Sequence, residues 1–212
     1  DGNWSFAANP NLNNPEGVAF TFGLRATDAD GDVATDSHTI TVTDGSGPRV
    51  GVATPLTLEL DEEALGNANA TGTNPASSAE AASATMTFTA GTDDLVGFAF
   101  ANDLSSLVGS TDGVNGPELV WSRTSATTVT ATFGATGPVA LTLTLAAPVS
   151  IAHGTSGNVT VTAALSDNLR HALGGGEQVL SLGSIGVVAT DRDGDTITFA
   201  ALTAIHYVHR LS

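Results

Sequence analysis

The chain has 212 residues, 22 Asp and Glu against six arginines and no lysine, a net charge of −16 and no cysteine. That charge repels a phosphate backbone or an anionic bilayer, which excludes nucleic acid as a partner. The missing cysteine excludes disulfides and thiolate metal sites. Only 13% of the residues are charged and 5% aromatic, and the abundance of Thr, Val, Ala, Leu and Gly favours strands over surface helices. The expected class is all-β, with length for one large or two small domains. No window reaches the roughly 18 to 20 apolar residues of a membrane-crossing helix, so no membrane insertion is expected.

In chain order, Asp1-Gly2-Asn3-Trp4 reads as the middle of a domain, and the chain is expected to be a segment of something longer. Trp4 to Ala7 carries a short strand signal, and Asn9 to Gly17 is a loop by its Asn, Pro and Gly content. Val18, Phe20, Phe22 and Leu24 then alternate with small or polar residues, as do His38, Ile40 and Val42 with threonines. This predicts two strands around an acidic turn. Asp44-Gly45-Ser46-Gly47-Pro48 is a linker, because Gly and Pro together stop strand pairing.

Beyond it, Leu56, Leu58 and Leu60 alternate into the acidic cluster Asp61-Glu62-Glu63. Gly66 to Ser83 reads as a long excursion, with a short helical turn over Ala79 to Ala82. Strand signals resume at Met86–Thr89, Leu95–Phe100, Leu119–Ser122, Val129–Phe133 and Val139–Leu145, the last being the cleanest alternation. Val159–Leu165, Val179–Leu182, Val187–Val188 and Ile197–Phe199 complete a series whose spacing suggests a sandwich. Trp121 is expected in the core.

One motif occurs twice: Ala-Thr-Asp-Ala-Asp-Gly-Asp from Ala26 and Ala-Thr-Asp-Arg-Asp-Gly-Asp from Ala189. In an extended segment alternate side chains share a face, which would converge Asp28, Asp30 and Asp32, and likewise Asp191, Asp193 and Asp195. Convergent carboxylates are unfavourable alone and favourable around a hard, oxygen-seeking cation, so Ca2+ is the expected cofactor. A polar Asx-rich turn is the plainer alternative for a single copy; two near-identical copies favour calcium. The loop is not an EF-hand, since Val33 and Thr39 stand where that motif needs Gly and Glu. Asp44, Asp61, Glu62 and Glu63 are further candidate ligands. The two motifs, offset from Asp28 to Asp191, imply a repeat of about 163 residues. Residues 1–47 would be the end of one repeat, 48–205 nearly all of the next, and 206–212 an unmatched tail.

The order Leu60-Asp61-Glu62-Glu63, Gly91-Thr92-Asp93-Asp94, Val120-Trp121 and Val188-Ala189-Thr190-Asp191-Arg192-Asp193-Gly194-Asp195 resembles the tandem repeats of type I-secreted giant RTX-type biofilm adhesins. The resemblance implies an Ig-like, Ca2+-stabilised β-sandwich, calcium at domain ends and linkers, and a spacer role on the bacterial cell surface. Neighbouring repeats or copies of the chain would be its partners. The alternative is a module of the same adhesin that binds a glycan, ice or another surface.

No supported nucleophile or acid/base pair is apparent, so no enzyme is expected. His153-Gly154-Thr155-Ser156-Gly157 lacks the nucleophile-elbow spacing and reads as a turn before a strand. His206 and His209 read as part of a frayed end rather than a metal pair. Residues 1–47 carry too much apolar surface for an isolated hairpin, so docking within the chain or, preferably, completion by a neighbouring copy is expected.

Overall fold

A computed structural model describes residues 3–9, 17–51, 56–66, 73–109, 118–169 and 178–209, with side chains up to residue 200. Two units of sheet follow one another. The first is the hairpin β1 (Val18–Thr27) and β2 (Val33–Val42), antiparallel in unbroken register from Val18↔Val42 to Thr27↔Val33. The second is a two-layer sandwich, and among the described residues all its regular structure apart from one 3-10 turn is strand.

The sandwich begins with β3 (Arg49–Val50) and β4 (Leu56–Asp61). They are followed by β5 (Ala81–Thr89), β6 (Leu95–Phe100), β7 (Leu119–Ser125), β8 (Thr128–Phe133) and β9 (Val139–Ala146). β10 (Ser156–Leu165), β11 (Gln178–Ser181), β12 (Ile185–Asp191) and β13 (Thr196–His209) complete it. One sheet has the order β3-β5-β10-β9-β8-β7 and the other β11-β13-β12-β6, with β4 pairing β13 in parallel. Within these orders, β3-β5-β10-β9 faces β6-β12-β13, the ABED and CFG arrangement of immunoglobulin-like sandwiches. The first strand is split: β3 lies in one sheet and β4 in the other. The β7–β8 hairpin widens the first sheet.

Period-two alternation builds the core. Leu58 and Leu60 are buried beside exposed Thr57 and Glu59, and in β10 Val159, Val161 and Ala163 are buried between half-buried Thr160 and Thr162. Phe88 joins the layers, its ring 6.0 Å from Phe98 and 6.3 Å from Phe199 across the sandwich. On the outer face the alternate positions pair as hydroxyl and amide rungs: Ser83 with Thr162, Thr85 with Thr160, Thr87 with Asn158 and Thr89 with Ser156, at 2.7–2.9 Å.

Several expectations change. Trp4 to Ala7 forms no strand; Trp4 lies edge-on to Phe22 (5.3 Å) and beside His38 (4.8 Å), and Phe6 meets Phe20 (5.3 Å). The alternation at Val139 breaks: a register shift between Ala131 and Thr132 turns Val139 outward and buries Ala140. Ala79 and Glu80 make a turn, but Ala81 to Ser83 already belong to β5. His206 to His209 are no separate tail; their backbone continues β13 and pairs with β11 and β4. A metal role for the His206 and His209 side chains lies outside the described residues. Trp121 is only half-buried against the core, its indole N–H donating to the Val108 carbonyl at 2.9 Å.

Among the described residues the hairpin's strands pair only with each other. Val18, Phe20, Leu24 and Val33 remain 41–51% exposed, as do Trp4 and Phe6 at 46–49%.

Candidate metal centre

The two copies of the acidic motif fold alike. In the first, the Asp28 N–H donates to the Asp32 carbonyl at 3.0 Å and the Gly31 N–H to Asp28 Oδ1 at 3.1 Å. In the second, the Asp191 N–H donates to the Asp195 carbonyl at 3.0 Å and the Gly194 N–H to Asp191 Oδ1 at 3.1 Å. Gly31 and Gly194 have φ of 101° and 108°, a conformation other residues adopt at a cost. A Cβ would meet nothing within 4 Å at either, so backbone conformation and not crowding requires glycine. The carboxylates converge as expected, with ligand oxygens within 4.8 Å in each triad, Asp28/Asp30/Asp32 and Asp191/Asp193/Asp195. A tight turn brings them together, not alternation along an extended strand.

The surroundings separate the copies. The first triad is fully exposed at the tip of the hairpin. Asp28 is held below the usual carboxylate range, first by the hydrogen bond it shares with Asp30 and then by backbone N–H groups. In the second triad Asp191 closes β12 and is buried. Burial first, then the adjoining carboxylate of Asp193, push it up to about 6.

A third group of three forms where the linker meets the sandwich. Asp44 lies with Asp93, from the turn between β5 and β6, and with Asp193, again within 4.8 Å. The Thr92 N–H donates to the Ser46 carbonyl at 2.9 Å and fixes the linker. Gly91 permits this approach, since a Cβ there would fall 1.6 Å from the Ser46 oxygen. Asp93 is only 4% exposed; its Oδ2 accepts from the Thr92 hydroxyl at 3.2 Å. Asp93 Oδ1 and both oxygens of Asp193 are buried with no hydrogen-bond partner among the described residues. Buried carboxylate oxygens without donors are costly, and burial accordingly raises Asp93, with Asp193, Asp44 and Asp94 adding repulsion. A hard cation relieves that cost through oxygen ligation, and Ca2+ takes six to eight such ligands, so this donor set fits it.

Asp94 faces the other way. Its Oδ1 accepts from the His153 backbone N–H (2.8 Å) and contacts the His153 ring (3.1 Å), and its Oδ2 takes Arg192 (3.2 Å). These bonds, the His153 backbone first, hold its carboxyl below the usual range. Arg192, which replaces Ala29 of the first copy, thus ties the acidic turn to the Asp93–Asp94 turn.

Asp61, Glu62 and Glu63 stand at the opposite pole, where β4 ends beside the far end of β13. They do not join any of the convergent acidic groups found among the described residues. Asp61 instead caps the 3-10 turn Glu62–Ala64, accepting from the Glu63 N–H at 3.0 Å, and Glu62 is buried. Sequence reasoning had not picked out Asp93 as a ligand. Its burial depends on a turn packed against a distant linker; the adjacent pair Asp93-Asp94 was the only local signal.

The fold and the centre together define an immunoglobulin-like sandwich with acidic turns at one pole and at the tip of the preceding hairpin. No family model, curated protein or solved structure matches the chain.

Proposed function

We propose that the chain is a segment of a calcium-rigidified extender, a spacer built of repeated sandwiches in an extracellular bacterial adhesin or surface fibre. The observation that carries this reading is the meeting of linker Asp44 with Asp93 and Asp193, where Asp93 Oδ1 and both Asp193 oxygens are buried without a partner among the described residues. An ion there would tie the linker to the sandwich and turn a Gly-rich hinge into a rigid joint. The hairpin supports repetition: its turn shares two hydrogen bonds, at equivalent positions, with the β12–β13 turn, so β1 and β2 correspond to the last two strands of a sandwich. Its open edges and exposed apolar face would be covered by strands of a neighbouring copy or repeat. The role is mechanical, with no turnover. Calcium titration followed by small-angle scattering tests this: the segment lengthens and stiffens with Ca2+, whereas identical scattering in EDTA and in Ca2+ would overturn it.

A second reading is favoured by one feature, the exposed rings of Trp4, Phe6 and Phe20 on one side of the hairpin. Such rings stack on sugars, and a glycan array distinguishes this use from coverage by a neighbouring strand.

A further inference from the structure

The turn triad and the linker triad have one member in common, Asp193. A carboxylate has two oxygens, and both of Asp193's are buried without a hydrogen-bond partner among the described residues. Asp93, more than nine-tenths buried, belongs to the linker group and has an unpartnered Oδ1 of its own among the described residues. We propose that Asp193 bridges two divalent cations, one in the β12–β13 turn and one against Asp93 and Asp44, so that filling the turn site builds the linker site. The proposal rests on the calcium reading above and adds the coupling.

Charge balance supports two ions over one. Asp44, Asp93, Asp191, Asp193 and Asp195 bring five negative charges into adjoining triads, with Arg192 engaged by Asp94. One divalent ion leaves three charges uncompensated; two leave one. The order of filling follows from chain geometry. Asp191, Asp193 and Asp195 belong to one turn held by its own backbone hydrogen bonds, so little ordering is needed before an ion binds. Asp44 has to be held in place from a Gly-rich linker, which costs more conformational entropy. An ion in the turn fixes the Asp193 carboxylate, leaving its second oxygen aimed at Asp93 and Asp44. Among the described residues the exposed Asp28/Asp30/Asp32 triad shares no member with another group, and it serves as an uncoupled control in the same molecule.

The experiment uses the full chain with Ca2+ as the only probe, counting bound ions by native mass spectrometry and reading affinities by isothermal titration calorimetry. Asp193→Asn is expected to lose both ions at this pole and keep the one at Asp28, whereas Asp44→Asn loses one. Should Asp193→Asn fail to fold, Asp44→Asn decides through linkage: removing the linker ion weakens the turn ion about tenfold, within the usual range of coupling factors. Loss of a single ion in Asp193→Asn, or an unchanged turn affinity in Asp44→Asn, overturns the bridge and leaves the calcium reading intact. A wild-type chain that binds no calcium overturns the calcium reading itself.

Discussion

Asp44, in the linker, and Asp193, in the turn between β12 and β13, bring carboxylate oxygens to within 4.8 Å of one another although almost the whole sandwich separates them in sequence. Two like charges at that distance repel, and Asp193 finds no donor among the described residues to offset the repulsion. The contact makes physical sense as half of a cation cage, and the predictions below follow from it.

Calcium should stabilise the fold by mass action. Each independent site contributes about 2.7 kcal/mol at a hundredfold excess of Ca2+ over its dissociation constant. For a chain of this length that raises the melting temperature by about 5 to 10 °C. Scanning calorimetry in EDTA and in millimolar Ca2+ measures the gain, most of which Asp193→Asn should abolish. Equal melting temperatures for the wild type in the two buffers would contradict the centre's assignment.

Without calcium, the buried carboxylates give an unusual pH dependence. Asp191 is raised to about 6 and Asp93 is raised as well, so the folded state holds protons that the unfolded chain releases. Their stabilisation is fully present below the ordinary carboxylate range and is lost as pH climbs, for Asp191 through about 6. Asp94 and Asp103 are lowered and act in the opposite sense, losing their contribution only at more acid pH. The melting temperature in EDTA should therefore fall from about pH 4 to about pH 6, and Asp191→Asn should flatten the slope. With Ca2+ present the stabilising increment should grow over the same interval, since ligating carboxylates must be deprotonated.

Gly91→Ala should loosen the joint selectively. The new methyl would have to displace the Ser46 carbonyl, and with it the hydrogen bond from Thr92 that sets the linker. Calcium affinity at the Asp44 group should drop while the Asp28 turn keeps its own. Small-angle scattering should then show a wider distribution of lengths in Ca2+ than the wild type gives.

The hairpin predicts association. With Val18, Phe20 and Leu24 more than two-fifths exposed and both edges open among the described residues, β1 and β2 should recruit strands from another copy. Sedimentation at rising concentration should reveal oligomers that disappear on deletion of residues 1–47, while hydrogen exchange should show β1 and β2 protected only in the oligomer. A monomer at every concentration with unprotected β1 and β2 would refute completion by a neighbour. As a control inside the sandwich, Phe88→Ala should cost about 3 to 5 kcal/mol, because a fully buried ring linking both sheets leaves a cavity.

Whatever depends on neighbours along the chain was legible in the residues alone. Alternation at Leu58 and Leu60 and at Val159, Val161 and Ala163 announced strands with one buried face, and the two Asp-x-Asp-Gly-Asp motifs announced two equivalent turns. Tertiary structure decided what those elements meet. Identical turns gave Asp28 open to water and Asp191 buried, because only the second turn closes a strand that packs inside a sandwich. The bulge opposite Val139 and the continuation of β13 through His209 were set by register with strands remote in sequence. Asp93 became a candidate ligand for the same reason: its burial and its nearness to Asp44 and Asp193 come from a linker folding back onto a distant turn, and local spacing carries no information about such a contact.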